Sequence, residues 1–324
     1  MILNILFLLL GLALILVGAN MLTDGASAIA RRWGVSDLVI GLTVVAFGTS
    51  APELVISLVS AIEGATELAI GNAVGSNIFN VLAIIGITSI ISPLKVDSGN
   101  MTKDIPFMIV SALVLLAMGN GPLLNGAERS VLTRVDGIVL LLFFCIFMRY
   151  TFSIAHSGPE APEPAAEDTG KKQMGMLKGC VWVVLGLAGL IFGGNLFVKG
   201  ASGIAAGLGV SQAVIGLTIV AAGTSLPELA TSIAAALKGK AGMAVGNVIG
   251  SNIFNIFMVL GAASTIRPLQ FGGIGNLDLL VMTGACLLFW LMGWKIGKRT
   301  ITRGEGILLT VCYVAYLAVL VSKA

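Results

Sequence analysis

The sequence predicts an all-α membrane protein: about ten transmembrane helices in two inverted-topology five-helix repeats. Three observations carry that expectation. The first is composition, because 57% of the 324 residues are hydrophobic and only 11% charged, where a soluble domain carries about 25% charged residues. The mean hydropathy of +1.01 agrees. The second is a succession of apolar runs, each near the roughly 20 residues that a helix needs to cross a bilayer. The third is a long internal repeat. Together they exclude a soluble enzyme, a nucleic-acid binder and a disordered tail, and the net charge of +3 is too small to suggest a polyanionic partner.

The apolar runs fall at 2–22, 37–62, 68–92, 105–119, 133–152, 177–199, 211–237, 243–266, 277–293 and 305–322. Met1 to Val17 has neither a basic leader nor a small-residue cleavage pattern, so it reads as the first span. The second and seventh runs each hold one glutamate and one proline, and the third and eighth share a GSNIFN segment. The fourth run is short and is expected to span only in part. The fifth gives way to Ser153–Gln173, a charged, proline-rich stretch that reads as a linker. This divides the chain into a first five-helix repeat at 1–152, a linker at 153–176 and a second repeat at 177–324. The sixth run is rich in glycine, and the ninth and tenth are plain apolar spans. The lone histidine, His156, lies in the linker, and the four cysteines sit alone in separate apolar runs, so neither a zinc site nor a disulfide framework is expected.

Basic residues set the orientation. With the N-terminus outside, 14 of the 19 Lys and Arg residues fall on the cytoplasmic side, among them Arg31, Arg32, Lys95, Lys103, Lys238, Lys240 and Arg303, and 5 fall outside. Both termini are therefore expected outside and the linker in the cytoplasm.

The repeat is the most informative feature. Residues 41–80 and 216–255 align without gaps at an offset of 175, with 23 of 40 positions identical. The same offset relates Gly11 to Gly186, Asn20 to Asn195 and Pro93 to Pro268. Five spans per half is an odd number, so the second copy lies upside down relative to the first. Inverted repeats are a signature of secondary transporters, with the substrate site at the repeat interface near the bilayer midplane.

The repeat retains its polar positions. Glu53 and Glu228 lie mid-span, where a charge costs about 2.5–3.5 kcal/mol on insertion scales, and no Lys or Arg lies at that depth. Their remaining partners are cations, protons or hydrogen bonds. Thr49, Ser50 and Glu53 share one helix face, as do Thr224, Ser225 and Glu228. Ser76 with Asn80, and Ser251 with Asn255, repeat an i, i+4 spacing on the next span, while Asn77 and Asn252 point toward neighbouring helices. Pro52 and Pro227 each remove a helical N–H and distort the helix, so backbone carbonyls nearby, notably those of Ala46 and Ala221, are expected to turn inward. Carboxylate, carbonyl, hydroxyl and amide oxygens form a hard-cation set that suits Ca²⁺ better than Mg²⁺. Na⁺, of nearly the same radius, fits the same oxygens. Mutually exclusive occupancy is the physical basis of exchange.

GTSAPE with GNAVGSNIFN, and GTSLPE with GNVIGSNIFN, resemble the two alpha-repeats of the sodium/calcium exchanger family, within the cation/calcium antiporter superfamily and nearest its short prokaryotic members. The resemblance covers essentially the whole chain. It implies a ten-helix inverted-repeat fold in a prokaryotic plasma membrane, with four ion sites clustered mid-membrane. Glu53 and Glu228 would be the central Ca²⁺ ligands. Thr49, Ser50, Thr224 and Ser225, with the carbonyls of Ala46 and Ala221, would complete the Ca²⁺ and Na⁺ sites, and Ser76, Ser251, Asn80 and Asn255 would line the rest. It further implies that spans one and six slide across the other eight, a motion for which Gly11, Gly18, Gly186, Gly189, Gly193 and Gly194 suggest smooth faces. Some relatives carry Asp at the position of Asn255, so this chain is expected to be K⁺-independent.

The function expected is an electrogenic antiporter that moves Ca²⁺ out against inward Na⁺. The alternative is a Ca²⁺/H⁺ or other cation/H⁺ exchanger with the glutamates as proton carriers. No HExxH motif, intramembrane aspartate pair or Ser–His pair is present, so enzymatic activity is not expected. Neither is a cofactor or an obligatory protein partner. The partners expected are Ca²⁺, Na⁺ and the lipid bilayer.

Overall fold

The computed structural model describes residues 2–126, 128–156, 174–208, 221–296 and 299–323. Within them the chain is nearly all helical. In order, α1 is Ile2–Trp33, α2 Asp37–Thr49, α3 Ala51–Glu63, α4 Thr66–Ile91, α5 Asn100–Gly119, the single turn α6 Gly121–Asn125, α7 Arg134–His156 and α8 Met176–Gly207. The second half continues with α9 Ala221–Thr224, α10 Leu226–Leu237, α11 Ala241–Ile266, α12 Asn276–Trp294 and α13 Arg303–Lys323. Eight of these helices are long and apolar enough to cross a membrane, and α2 with α3 forms a ninth span bent by 46°. The seventh apolar run of the sequence is described only from Ala221 onward.

Burial explains the layering. Helices α4 and α11 form the centre, buried on every side with their polar side chains facing one another, with windows 78% and 94% buried against 22% for α1 and 28% for α8. A mostly hydrophobic helix belongs in a core or in lipid, and here both cases occur. The outer helices turn Leu3, Leu6, Leu9, Val184 and Phe192 outward.

The helices α1 and α8, of 32 residues each, are about 48 Å long at 1.5 Å per residue. That exceeds the roughly 30 Å hydrocarbon core, so they run well past the ends read from the apolar pattern. They cross antiparallel along a glycine seam. A Cβ on Gly18 would lie 2.8 Å from the carbonyl oxygen of Gly186, one on Gly25 2.7 Å from that of Gly179, and one on Gly193 2.9 Å from that of Gly11. The glycines therefore join α1 to α8 backbone on backbone. This corrects the expectation that they provide faces sliding against the remaining helices. Only Gly194 looks toward the inner helices, with Gly223 O at 3.8 Å.

The fourth span also differs from expectation. It begins at Asn100 and reaches full length, because Asn100 and Asp104 are buried rather than solvated and Tyr150 Oη donates to Asp104 Oδ1 at 3.1 Å. Two short antiparallel ladders tie the halves together. Strand β1 (Leu94–Lys95) pairs with β4 (Thr300–Ile301), and β2 (Val131–Leu132) pairs with β3 (Leu269–Gln270). Leu94 and Leu269, 175 apart, are both fully buried in them.

Candidate ion-binding site

The local sequence breaks two helices at matching places. Pro52 has no N–H for the carbonyl of Gly48, and Pro227 none for that of Gly223. The chain accordingly leaves helical geometry at Ser50 (φ −85°, ψ 8°) and again at Ser225 (φ −92°, ψ 9°). Helices α3 and α10 restart there with Glu53 and Glu228 in their first turns, where the positive end of a helix favours an anion. The carbonyl of Ala46 is not released by the break. It accepts from Ser50 N at 3.0 Å and lies 3.4 Å from Thr49 Oγ1. Ala221 opens α9, and the residues just before it lie outside the described ones. Gly48 and Gly223 face side chains of α8, namely Leu187 and Val198, rather than a backbone.

The two carboxylates are cross-held by the opposite halves. Ser50 Oγ donates to Glu228 Oε1 at 2.8 Å, and its counterpart Ser225 Oγ lies 3.2 Å from Glu53 Oε1. Ser76 Oγ is 3.4 Å from the same Glu53 oxygen and 3.1 Å from Ser225 Oγ. Thr224 lies beside Glu53, and Thr49 and Ser251 beside Glu228. Glu53 and Glu228 are 0% and 1% exposed, so no bulk water reaches them.

In each half, the site's asparagine lies on a stretch of wide, i→i+5 bonded turns, Phe79–Ile85 in α4 and Phe254–Leu260 in α11. Such insertions are rare and recur at functional sites. Asn80 and Asn255 are the second residues of these stretches. Asn80 Nδ2 donates to Asn252 Oδ1 at 3.0 Å, and Asn255 Nδ2 to Asn77 Oδ1 at 3.1 Å.

Five oxygens of this cluster are buried and have no hydrogen-bond partner: Glu53 Oε2, Glu228 Oε2, Asn80 Oδ1, Asn255 Oδ1 and Ser251 Oγ. Leaving a buried polar group unsatisfied costs about 1–3 kcal/mol, more for a charged one. Oxygens alone, with no thiolate or imidazole, fit a hard cation. Among the described residues no group of three or more His, Cys, Asp or Glu side chains forms, so neutral oxygens must supply most of any coordination shell.

Sequence reasoning passed over a supporting layer. Asn72 Nδ2 donates to Glu53 O at 3.3 Å and to Ser57 Oγ at 3.2 Å. Its counterpart Asn247 does the same to Glu228 O at 3.2 Å and Ser232 Oγ at 3.0 Å, and Asn247 Oδ1 also accepts from Thr49 Oγ1 at 3.2 Å. The signal was available, since Asn72 and Asn247 are identical across the repeat and 19 residues from their glutamates.

Known proteins match both halves. The family model described as sodium/calcium exchanger protein matches residues 3–153 and 178–322. The chain is 40% identical to the putative antiporter CaxA of Alkalimonas amylolytica over 98% of each protein. It is 34% identical to the sodium/calcium exchanger MaX1 of Methanosarcina acetivorans, again over 98% of each. A solved structure of the sodium-calcium exchanger NCX_Mj superposes with a TM-score of 0.83 at 36% identity, covering 98% of both chains. These matches run from end to end and embrace both carboxylate-bearing repeats. The chain is thus an integral multi-pass membrane protein and belongs to the sodium/calcium exchanger family.

Proposed function

We propose that this protein is an electrogenic, K⁺-independent Na⁺/Ca²⁺ antiporter that works by alternating access. One observation carries the reading: two membrane-buried carboxylates, each held by a serine of the opposite half, converge with unpartnered amide and hydroxyl oxygens. Two negative charges neutralise one Ca²⁺. Na⁺ ions occupy the same oxygens in its place, so the site crosses between its two faces only when loaded. The ligands are Glu53, Glu228, Thr49, Thr224, Ser50, Ser225, Ser76, Ser251, Asn80 and Asn255, with the carbonyls of Ala221 and of Ala46, the latter through the lone pair that Ser50 N leaves open. The name of MaX1 as a sodium/calcium exchanger supports the choice of ions.

The strand ladders support ten crossings in two inverted halves, 1–152 and 177–324, around the linker 153–176. Paired strands lie on one side of the membrane, so the crossings between them must be even in number. Between β1 and β4 lie α5, α7, α8, α11 and α12, which is five. The stretch containing α9 and α10 supplies the sixth. Lys95, Lys295, Arg299 and Arg303 gather at the β1–β4 end. The positive-inside rule places that end in the cytoplasm, with both termini outside.

The test is Ca²⁺ uptake into Na⁺-loaded proteoliposomes diluted into Na⁺-free buffer, beside choline-loaded and proton-ionophore controls. Uptake that needs internal Na⁺, survives the ionophore, ignores added K⁺ and responds to a valinomycin-imposed potential is the expected result. Uptake that ignores Na⁺ and follows an imposed pH gradient would replace this reading with proton coupling. Glu160→Gln and Glu163→Gln in the linker serve as controls and leave uptake unchanged.

A further inference from the structure

Asn80 and Asn255 can serve a cation only if each presents its oxygen, since the amide's other end carries two N–H donors. An amide's two ends have nearly the same shape, so something must dictate which one faces the site. The surrounding network does so without ambiguity. Asn77 Nδ2 lies 3.1 Å from the backbone carbonyl of Asn252, and Asn252 Nδ2 lies 3.4 Å from that of Asn77. A carbonyl only accepts, so both side chains must turn nitrogen toward it. Met282 Sδ lies 3.9 Å from Asn77 Nδ2, and Met108 Sδ 3.6 Å from Asn252 Nδ2. A thioether also accepts weakly and never donates. Each asparagine therefore has acceptors on its nitrogen side, and its Oδ1 is forced to the opposite side.

There the forced oxygens meet the second pair. Asn77 Oδ1 accepts from Asn255 Nδ2, and Asn252 Oδ1 accepts from Asn80 Nδ2. Each of those residues is left with its oxygen buried and unpartnered. We propose that Asn77 and Asn252 are positioning residues: locked by each other's backbone carbonyl, they fix Asn255 and Asn80 with oxygen, not N–H, toward the ion. The chain of acceptance runs from backbone to Asn77 to Asn255, and from backbone to Asn252 to Asn80. Each step crosses between the two repeats. Rotation of one amide in this ring would set donor against donor at the next, so the orientation is held collectively. This inference rests on the ion-binding reading given above.

A double-mutant cycle tests it. A carboxylate at position 255 offers oxygen in either orientation and needs no positioning. In the purified full-length chain, the Ca²⁺ concentration giving half-maximal thermal stabilisation is measured for Asn77→Ala in two backgrounds, Asn255 and Asn255→Asp. We expect Asn77→Ala to raise that midpoint about tenfold, or about 1.4 kcal/mol, with Asn255 present. In the Asn255→Asp background we expect no rise, and a fall if anything, because a carboxylate cannot donate to Asn77 Oδ1 and loses nothing when that oxygen is removed. If Asn77→Ala fails to fold, Asn252→Ala with Asn80 and Asn80→Asp makes the mirror measurement. An equal rise in both backgrounds would mean a merely structural role and overturn the inference alone. If neither Ca²⁺ nor Na⁺ stabilises the unaltered chain, the ion-binding reading falls and takes the inference with it.

Discussion

Replacing Glu228 with Gln separates the cost of the buried charge from its use. The Gln side chain keeps the volume and can still accept from Ser50 Oγ, now 2.8 Å from Glu228 Oε1. What changes is the other terminus, where the unpartnered Oε2 becomes an NH₂ group aimed at the cation's position. Removing one partner from a buried charge pair costs about 3–5 kcal/mol, or roughly 10²–10⁴ in affinity. Without ions the sign reverses. Glu228 is 1% exposed and lies near enough to Glu53 for their charges to repel, so deleting its charge removes both a desolvation cost and a like-charge repulsion. Thermal unfolding in detergent should therefore show a higher Tm for Glu228→Gln than for the parent in ion-free buffer, together with loss of Ca²⁺-dependent stabilisation and of Ca²⁺ uptake. A Ca²⁺ midpoint within about threefold of the parent, under 1 kcal/mol, would refute the assignment of this carboxylate as a ligand.

Other substitutions probe the support around the site. Asn247→Ala removes bonds to Glu228 O, Ser232 and Thr49, and should lower stability by about 2–4 kcal/mol. Asn72→Ala breaks the bonds to Glu53 O and Ser57 and should cost less in the same chemical unfolding series. Gly18→Leu drives a side chain into the Gly186 carbonyl, 2.8 Å from its Cβ position, and should abolish folded protein on size exclusion, while Gly284→Ala meets nothing within 4 Å and should be silent. Lys238→Gln breaks the 2.8 Å pair with Asp24, whose side chains are 26% and 39% exposed. It should change Tm by the equivalent of less than about 1 kcal/mol, and less still in high salt.

Much of the site was legible because the duplication prints it twice. The offset of 175 that aligns the sequence also relates the bonds: Ser50 to Glu228 mirrors Ser225 to Glu53, and Asn72 to Glu53 O mirrors Asn247 to Glu228 O. The Asn77–Asn252 contact follows from the helical angle that turns those residues away from Ser76 and Asn80. Other features left too faint a trace. Two-residue strands have no period to detect. The start of α5 looks like a loop, since Asn100-Met-Thr-Lys-Asp is polar, yet Asp104 finds its donor in Tyr150, 46 residues away. Glycine content signals close approach but not between which helices, so the seam of α1 and α8 was assigned to the wrong surface. The proline rule correctly located the break but pointed to the carbonyl of Ala46, which Ser50 N still engages.

That seam also fixes how force travels through the molecule. From Gly11 to Gly25 it runs about 21 Å along the axis, with backbone meeting backbone at each glycine crossing. Two antiparallel helices in contact over that length behave as one stiff beam from one membrane surface toward the other. The beam meets the two broken segments with Leu187 over Gly48 and Val198 over Gly223. Eleven residues separate them on α8, about 16 Å of helix, so one continuous helix bears on both broken helices at once, at two different depths.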